Sequence, residues 1–256
     1  MNFLFSPWDF FLVLGRTSFL IGFFPMFSEL QIPRLVRAGI AMWLSFVIMP
    51  TLPPTHFHPS NVPELAGAVF LEGVLGAIFA FAIRLVFATV SLGTQWIDSE
   101  IGFQVAQQIN PIFGAPNSPF GTLALVVTTM LFWSMGFFEQ LLAVWVRIFQ
   151  ILPPPITSLS PNTGDSVLWL SSQIFVGALK IATPVVLVMF LVSLSIGLLA
   201  RAIPGVNFFV ESFNAKLLAG IGFLVVISPF LLTLIQHQLD RIPESWLVLV
   251  RALKGG

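Results

Sequence analysis

The stretch that decides the fold class runs from Leu179 to Phe209 and reads LKIATPVVLVMFLVSLSIGLLARAIPGVNFF. Between Lys180 and Arg201 it carries no charge, and a helix needs about 20 mostly apolar residues to cross a bilayer. Its apolar residues show no alternation of period two, so the stretch predicts a helix and not a strand. Pro184 is tolerated in a membrane helix when neighbouring groups satisfy the freed backbone atoms.

The composition of the whole chain agrees with a membrane protein. Of its 256 residues, 57% are hydrophobic and 9% are charged, and the mean hydropathy is +0.96. Soluble domains carry about 25% charged residues, and a globule of this size could not hide so much apolar surface. What remains is an integral membrane protein or a chain that buries itself against other subunits.

The same numbers exclude several functions. With 11 basic and 11 acidic residues the chain has no net field to attract nucleic acid, so no nucleic-acid partner is expected. The absence of Cys excludes disulfides, thiolate catalysis and Cys-based zinc sites.

Six long hydrophobic segments predict an all-α integral membrane protein. They cover residues 10–27, 38–52, 65–92, 120–152, 167–200 and 217–235. No basic n-region or small-residue cleavage pattern accompanies the first segment, so we expect it to stay in the mature protein. Residues 236–256 are predicted to form a polar or amphipathic C-terminal tail.

Basic residues test whether each segment crosses the membrane once, because cytoplasmic loops carry an excess of Lys and Arg. Four lie on each side of six plain crossings: Arg34, Arg37, Arg201 and Lys216 on one, and Arg147, Arg241, Arg251 and Lys254 on the other. This tie is poor support for six plain crossings. It indicates that some helices pack against protein instead of lipid.

Charged residues inside the hydrophobic segments point the same way. They are Arg16, Glu72, Arg84, Glu139 and Lys180. A charge at the bilayer centre costs a few kcal/mol, so each must either reach a helix end, as suits Arg84 and Glu139, or pair with another helix or subunit. Small residues at Ser193 and Gly197, and at Ala215 and Ala219, offer surfaces for close helix packing.

Catalytic and cofactor motifs are absent from the sequence. It contains no phosphate-binding loop, dinucleotide fingerprint, zinc-protease motif or nucleophile elbow. His56 and His58 lack a third metal ligand and are interpreted as solvated surface. Asp98 and Glu100, two residues apart on a helix, do not face each other, so they are interpreted as a polar helix end. We expect no catalytic residue, no cofactor and no metal.

Residues 101–121, IGFQVAQQINPIFGAPNSPFG, form an uncharged segment rich in amides and glycine. Its three prolines prevent a continuous helix, because each lacks an N–H and clashes with the preceding turn. Non-helical backbone at membrane depth persists only where protein buries it or where it lines a watery cavity. Apolar side chains such as Ile112 and Phe113 can close a pore by excluding water. The alternative is an ordinary surface connector.

Several motifs together resemble the flagellar export-gate R subunit family (FliR). They are Arg16, Pro25-Met26-Phe27, Ile32-Pro33 with Arg37, PTLP at 50–53, AIRLVFATVSLGTQWID at 82–98, NPIFGAPNSPFG at 110–121, and the opening stretch followed by Lys216-Leu217-Leu218. The last third also resembles the small Q subunit. The virulence injectisome counterpart (SctT) shares these features, and Ser118-Pro119 with GFFE at 136–139 favours it, whereas the N-terminal half favours the flagellar protein.

The resemblance implies a structural subunit built from two parts. Residues 1–166 would be P-subunit-like, and residues 167–235 would form a Q-subunit-like helical hairpin, both packed in a helical export-gate assembly. The channel plug would be the family's loop: Asn110, Pro111, Ile112, Phe113, Gly114, Ala115, Pro116 and Asn117. The turn at the cytoplasmic entrance would include Arg201, Pro204, Asn207, Glu211 and Lys216.

The resemblance also implies the partners. A single copy of the chain would join P and Q subunits, meet the B subunit at the cytoplasmic entrance and the A subunit of the apparatus, and pass unfolded secreted proteins. The assembly would lie in the bacterial inner membrane within the flagellar basal body, partly above the membrane plane on the periplasmic side, in contact with membrane lipid. A small secondary transporter and an intramembrane enzyme remain as alternatives from other functional classes.

Overall fold

A computed structural model of the chain describes residues 6–29, 32–53, 55, 57–103, 119–202 and 208–254. Over these ranges the regular structure is helical, which confirms the all-α prediction. The helices are α1 (Pro7–Phe23), α2 (Pro25–Glu29), α3 (Arg34–Ile48, followed by a 3₁₀ turn at Met49–Thr51), α4 (Val62–Ile101), α5 (Pro119–Ser134), α6 (Phe137–Ile151), α7 (Asn162–Ala202) and α8 (Phe208–Lys254).

Local sequence explains where α1 begins. The Ser6 hydroxyl accepts from the backbone N–H of Trp8 at 3.3 Å. In turn, the Asp9 carboxylate accepts from the backbone N–H of Ser6, also at 3.3 Å. This reciprocal arrangement satisfies donors that a helix start would otherwise leave without partners. The helix ends at Phe23, and the next residue, Phe24, has an extended backbone, as expected for a residue before proline.

The apolar segment predicted at 120–152 is two helices and not one. Helices α5 and α6 bend by 64° at their junction. Gly136, with φ of 69°, occupies the left-handed region that glycine enters without steric cost. Hydropathy does not detect this backbone turn, because the apolar residues continue across it. The sequence pattern therefore predicted one continuous segment.

Within the described residues, four helical segments are long and apolar enough to cross a membrane, or five if the bent α5–α6 pair is one span. The four are Arg34–Thr51, Val62–Ile101, Asn162–Ala202 and Ser212–Lys254. The chain is therefore an all-α integral membrane protein, while the predicted count of six is not confirmed. Helix α1 has 17 residues, slightly short of a full span.

The last helix runs further than the hydrophobic pattern indicates. Helix α8 has 47 residues and continues through Pro243 to Lys254. The residues assigned to a C-terminal tail thus belong, up to Lys254, to this helix. Their apolar side chains Trp246 and Leu249 are buried.

The chain divides into two compact units. Unit 1 comprises residues 1–86, 133–171 and 241–256, and unit 2 comprises residues 87–132 and 172–240. This division follows contacts within the chain. The predicted division at residue 166 follows a resemblance to two other subunits, and it stays a prediction.

Four buried aromatic rings form the centre of unit 1. Phe79 from α4 meets Trp145 from α6 at 5.6 Å and Trp246 from α8 at 5.4 Å between ring centroids. Trp145 also meets Phe149 at 5.3 Å in an edge-to-face arrangement, a geometry that aromatic quadrupoles favour. The Trp246 indole N–H donates to the Phe79 carbonyl at 2.9 Å. These contacts hold α4, α6 and the end of α8 together.

Unit 2 has an aliphatic core. Its buried members come from α4, α5, α7 and α8: Val90, Ile97, Ile101, Ala124, Ile181, Ala182, Val185, Met189, Leu231 and Ile235. Helices α4 and α7 approach closely at Gly93, where an added Cβ would lie 2.9 Å from the Ala178 carbonyl oxygen. Small residues at such crossings let backbones approach and dispersion contacts accumulate.

Candidate functional site

The predicted plug, residues 110–117, lies outside the described residues, and its two flanks belong to unit 2. The first flank is the end of α4 and the second is the start of α5. Asp98 joins them: its carboxylate Oδ2 accepts from the backbone N–H of Gly121 at 3.1 Å. Its backbone carbonyl accepts from the N–H of Gly102 at 3.1 Å. Asp98 therefore connects the end of α4 with the start of α5.

The environment of Asp98 strengthens this tie. Its side chain is fully buried, and Gly121 lies in the first turn of α5, where backbone N–H groups lack helical partners and favour a negative charge. The sequence pattern interprets Asp98 as a polar helix end. The structure instead makes it a cap for a helix that begins 21 residues later. Only tertiary structure brings these two residues together, so spacing rules could not find the contact.

Apolar contacts hold the end of α4 in place. Ile101 is fully buried in the unit 2 core, and it lies against Gly220 of α8, where an added Cβ would come within 2.7 Å of Ile101. Gly102 follows with φ of 98°, a backbone conformation that residues other than glycine rarely adopt. Phe103 and Phe120 are partly buried against the same core. The flanks of the uncharged segment are thus fixed by packing as well as by Asp98.

In unit 1 the structure pairs two of the charges that the sequence places inside hydrophobic segments. Arg16 Nε of α1 donates to Glu72 Oε2 of α4 at 2.6 Å, and both side chains are fully buried. This is the one ion pair among the described side chains. The expectation that some of these charges pair with another helix is met within the chain itself.

The Arg16–Glu72 pair also anchors the chain after α6. Arg16 Nη1 donates to the Leu152 carbonyl at 2.8 Å, and the Ile156 N–H donates to Glu72 Oε1 at 2.8 Å. The guanidinium carbon lies 4.4 Å from the centre of the Phe149 ring, within cation–π range. A buried ion pair survives only with such additional partners, because desolvation of both charges is costly. The pair therefore fixes both ends of the Pro153-Pro154-Pro155 stretch.

The other three charges remain at the surface. Arg84, Glu139 and Lys180 are all exposed. Lys180 lies near the middle of α7 among exposed apolar neighbours such as Val176 and Leu187. Lipid tails would not satisfy a lysine at that position.

The residues predicted for subunit packing lie on open surface. Gly197 and Ala215 are exposed, and Ser193 and Ala219 are half-buried. The Ser193 hydroxyl donates to the Met189 carbonyl at 2.8 Å. An added Cβ at Gly197 would meet nothing within 4 Å. The close approaches inside the chain use other glycines, at positions 76, 93, 177 and 220.

The predicted entrance turn is described in part. Arg201 is exposed at the end of α7, and Lys216 is half-buried on α8. Pro204 and Asn207 lie outside the described residues, and so does the side chain of Glu211. Over the described part of the chain, no three His, Cys, Asp or Glu side chains group as a metal site would require.

Comparisons with known proteins agree on one family. The model of the bacterial export proteins, family 1, matches residues 8–242. The flagellar biosynthetic protein FliR of Escherichia coli K12 is 26% identical over 229 residues, which are 90% of this chain and 87% of that protein. FliR of Bacillus subtilis 168 is 26% identical over 243 residues, 92% of each chain. The Yop proteins translocation protein T of Yersinia pestis is 25% identical over 188 residues, 71% of this chain and 70% of that protein.

Proposed function

Because the chain belongs to family 1 of the bacterial export proteins, we propose that it is a structural, pore-forming subunit of the flagellar type III protein export gate. The family and its relatives make it a subunit of a type III export apparatus in the inner membrane. The finer proposal is that it helps to form the channel through which unfolded flagellar proteins cross this membrane.

The length of apolar surface carries the proposal. Exposed apolar side chains follow α7 from Leu168 to Leu199, which is about 47 Å along a helix with a 1.5 Å rise per residue. The hydrocarbon core is about 30 Å thick, and a helix tilted by 40°, near the upper end of the observed range, crosses it in about 39 Å. The hydrocarbon core alone does not cover this surface, which supports the proposal that neighbouring subunits cover the remainder.

The difference between helix length and bilayer thickness also supports the proposed position of the assembly, partly above the membrane plane. Helices α4, α7 and α8 have 40, 41 and 47 residues, each about twice the length needed for one span. An assembly of P, Q and R subunits that rises partly above the membrane on the periplasmic side, with the A and B subunits on its cytoplasmic side, would accommodate such helices. Lys180 would then face a partner subunit or water instead of lipid tails.

A flagellar role is favoured over an injectisome role by the extent of the similarity. The FliR relatives of E. coli and B. subtilis match 90% and 92% of this chain, whereas the Yersinia translocation protein T matches 71%. Expression of this chain in a strain that lacks its own flagellar R subunit should restore swimming and hook-protein secretion. Restored injectisome secretion, with flagellar export still absent, would assign it to the virulence system.

The plug is proposed for residues 110–117 because both flanks of this uncharged segment are fixed. Asp98 ties α4 to α5, and Ile101 is buried against α8. Apolar residues such as Ile112 and Phe113 can exclude water and ions from a channel. Deletion of residues 110–117 should leave the complex assembled but make it conduct small ions, measured as single-channel conductance in planar bilayers. Conductance equal to that of the intact complex would refute the plug.

Copurification distinguishes this function from a small transporter or an intramembrane enzyme. A transporter or enzyme should be stable by itself, whereas a gate subunit should aggregate without its P and Q partners. The native mass of the complex purified through this chain tests the proposal directly. A mass that fits a single chain in a detergent micelle would refute it.

A further inference from the structure

A cavity of about 220 Å³ opens between α1 and α3 in unit 1. Its lining combines small side chains with two guanidinium groups: Ser18, Gly22, Arg34, Arg37, Ala38 and Ala41. Nothing in the proposed export function uses this cavity. Its volume is below the roughly 300–1,000 Å³ of typical small-molecule sites, so it suits a compact group or the first part of a longer molecule.

The two arginines are available to bind an anion. Arg37 donates from Nε to the Ile32 carbonyl at 3.0 Å, which orients the guanidinium and leaves its terminal nitrogens for another acceptor. Arg34 is exposed. Among the described side chains, neither arginine has a carboxylate within ion-pair distance. Two forked cationic groups at one cavity match the oxygens of a phosphate, which guanidinium groups bind with paired hydrogen bonds.

The position of the cavity along α3 indicates where this anion comes from. The segment Arg34–Thr51 is long and apolar enough to cross a membrane, at about 27 Å for 18 residues. Both arginines lie in its first turns, so in such a span they would lie near one surface of the bilayer. Exposed apolar side chains lie between and after them: Leu35, Met42, Trp43, Phe46 and Val47. In this orientation headgroups would meet the arginines and acyl chains would meet the rest of α3.

We infer that this cavity binds an anionic phospholipid. Arg34 and Arg37 hold the headgroup phosphate, and the small residues Gly22, Ala38 and Ala41 leave room for the first methylenes of one acyl chain. Basic pockets between membrane helices bind anionic headgroups in this manner. A soluble anion would use the arginines but would not need the apolar part of the cavity.

Native mass spectrometry of the full chain, with any subunits that copurify, tests the charge requirement. Phosphatidylglycerol or phosphatidylethanolamine is added, and bound lipids are counted. The double variant Arg34→Gln/Arg37→Gln should bind phosphatidylglycerol at least about tenfold more weakly, because it removes both charged donors to the headgroup phosphate. Arg84→Gln, which removes an exposed arginine of α4 outside the cavity, should bind like the wild type.

A second variant pair tests the acyl-chain requirement with both arginines intact. Gly22 lines the cavity and Gly39 does not, and an added Cβ at either would meet nothing within 4 Å. Both Gly22→Leu and Gly39→Leu should therefore fold. Gly22→Leu should lower phosphatidylglycerol binding several-fold by filling the cavity, and Gly39→Leu should leave it unchanged.

Three results would overturn the inference. One is equal binding of phosphatidylethanolamine and phosphatidylglycerol by the wild type. Another is an Arg84→Gln effect as large as that of the double variant. The third is displacement by inorganic phosphate together with unchanged binding in Gly22→Leu, which would mark a free-phosphate site. None of these results depends on secretion, so they leave the export function to its own test.

Discussion

At the scale of single residues, the buried charges show how an apolar chain tolerates ionised groups. Arg16 and Glu72 pair with each other and then use their remaining atoms on the backbone of Leu152 and Ile156. The pair contributes little net stability, because the cost of desolvating both charges offsets their attraction. The loss of one partner, in contrast, leaves the other charge buried and unpaired. Its value is positional, since it fixes the chain between α6 and α7.

Replacement of one member of this pair should therefore cost far more than replacement of both. Glu72→Ala should lower the free energy of unfolding by about 3–5 kcal/mol, because it leaves the Arg16 charge buried without a partner. The double variant Arg16→Met/Glu72→Met should recover a large part of this loss. Unfolding in detergent, followed by tryptophan fluorescence, measures both. A double variant that is no more stable than Glu72→Ala would contradict the argument.

Asp98 supports a second prediction at this scale. Asp98→Ala removes the acceptor for the Gly121 N–H and should destabilise the protein by about 1–3 kcal/mol, the cost of a buried group left without a hydrogen bond. Asp98→Asn keeps a side-chain oxygen and should lose less than half as much. The same unfolding measurement applies, with the exposed Asp240→Ala as control. Equal losses for Ala and Asn would show that the hydrogen bond to Gly121 is not what matters.

At the scale of elements, helix α4 organises the chain, since it contributes to both compact units. Its most apolar stretch is 67% buried, against 22% for the corresponding stretches of α7 and α8. In unit 1 it meets α1 so closely that a Cβ at Gly76 would overlap the Arg16 carbonyl group. Helix α4 is therefore covered by its own chain, whereas α7 and α8 present much of their apolar surface outward.

Two glycines of α4 provide a matched test of this close approach. Gly76→Ala should destabilise the protein by about 1–3 kcal/mol or more, because the added methyl group forces α4 away from the backbone of α1. Gly67→Ala adds the same methyl group where nothing lies within 4 Å, and it should stabilise the helix by up to about 1 kcal/mol. Thermal unfolding of both variants measures the difference in stability. Similar effects at the two positions would exclude close helix approach as the cause.

At the scale of the whole molecule, the surface is incomplete without partners. The exposed apolar side chains of α7 continue from Leu168 to Leu199, which is more than one bilayer thickness. Monomeric soluble proteins rarely expose such patches, and large ones mark interaction or membrane sites. Subunit association and lipid together must therefore account for this surface.

A charge placed on this surface should disrupt the assembly. Gly197→Asp should reduce the yield of the copurified complex by tenfold or more, because an unpaired buried carboxylate costs several kcal/mol at an interface. Gly164→Asp, at the exposed start of the same helix, should leave the yield unchanged. A Cβ added at either position would meet no heavy atom of this chain within 4 Å. A normal yield of Gly197→Asp complex, quantified by size-exclusion chromatography, would remove this face from the interface.

The sequence alone determined the fold class and the family, because both depend on local properties. Apolar runs without strand periodicity required helices in a membrane, and the motifs around Arg16, the 110–121 loop and Lys216 carried the resemblance. The tied count of basic residues predicts that some helices pack against protein instead of lipid, and this stays a prediction.

Tertiary structure decided the contacts between residues far apart in the chain. Glu72, the partner of Arg16, lies 56 positions away in the chain. Gly121, whose N–H donates to the Asp98 carboxylate, lies 23 positions away from Asp98. Hydropathy could not locate the turn at Gly136, because backbone conformation leaves no trace in an apolar average. Spacing rules describe neighbours on one helix, whereas a buried charge takes whichever partner the packing of several helices brings within hydrogen-bonding distance.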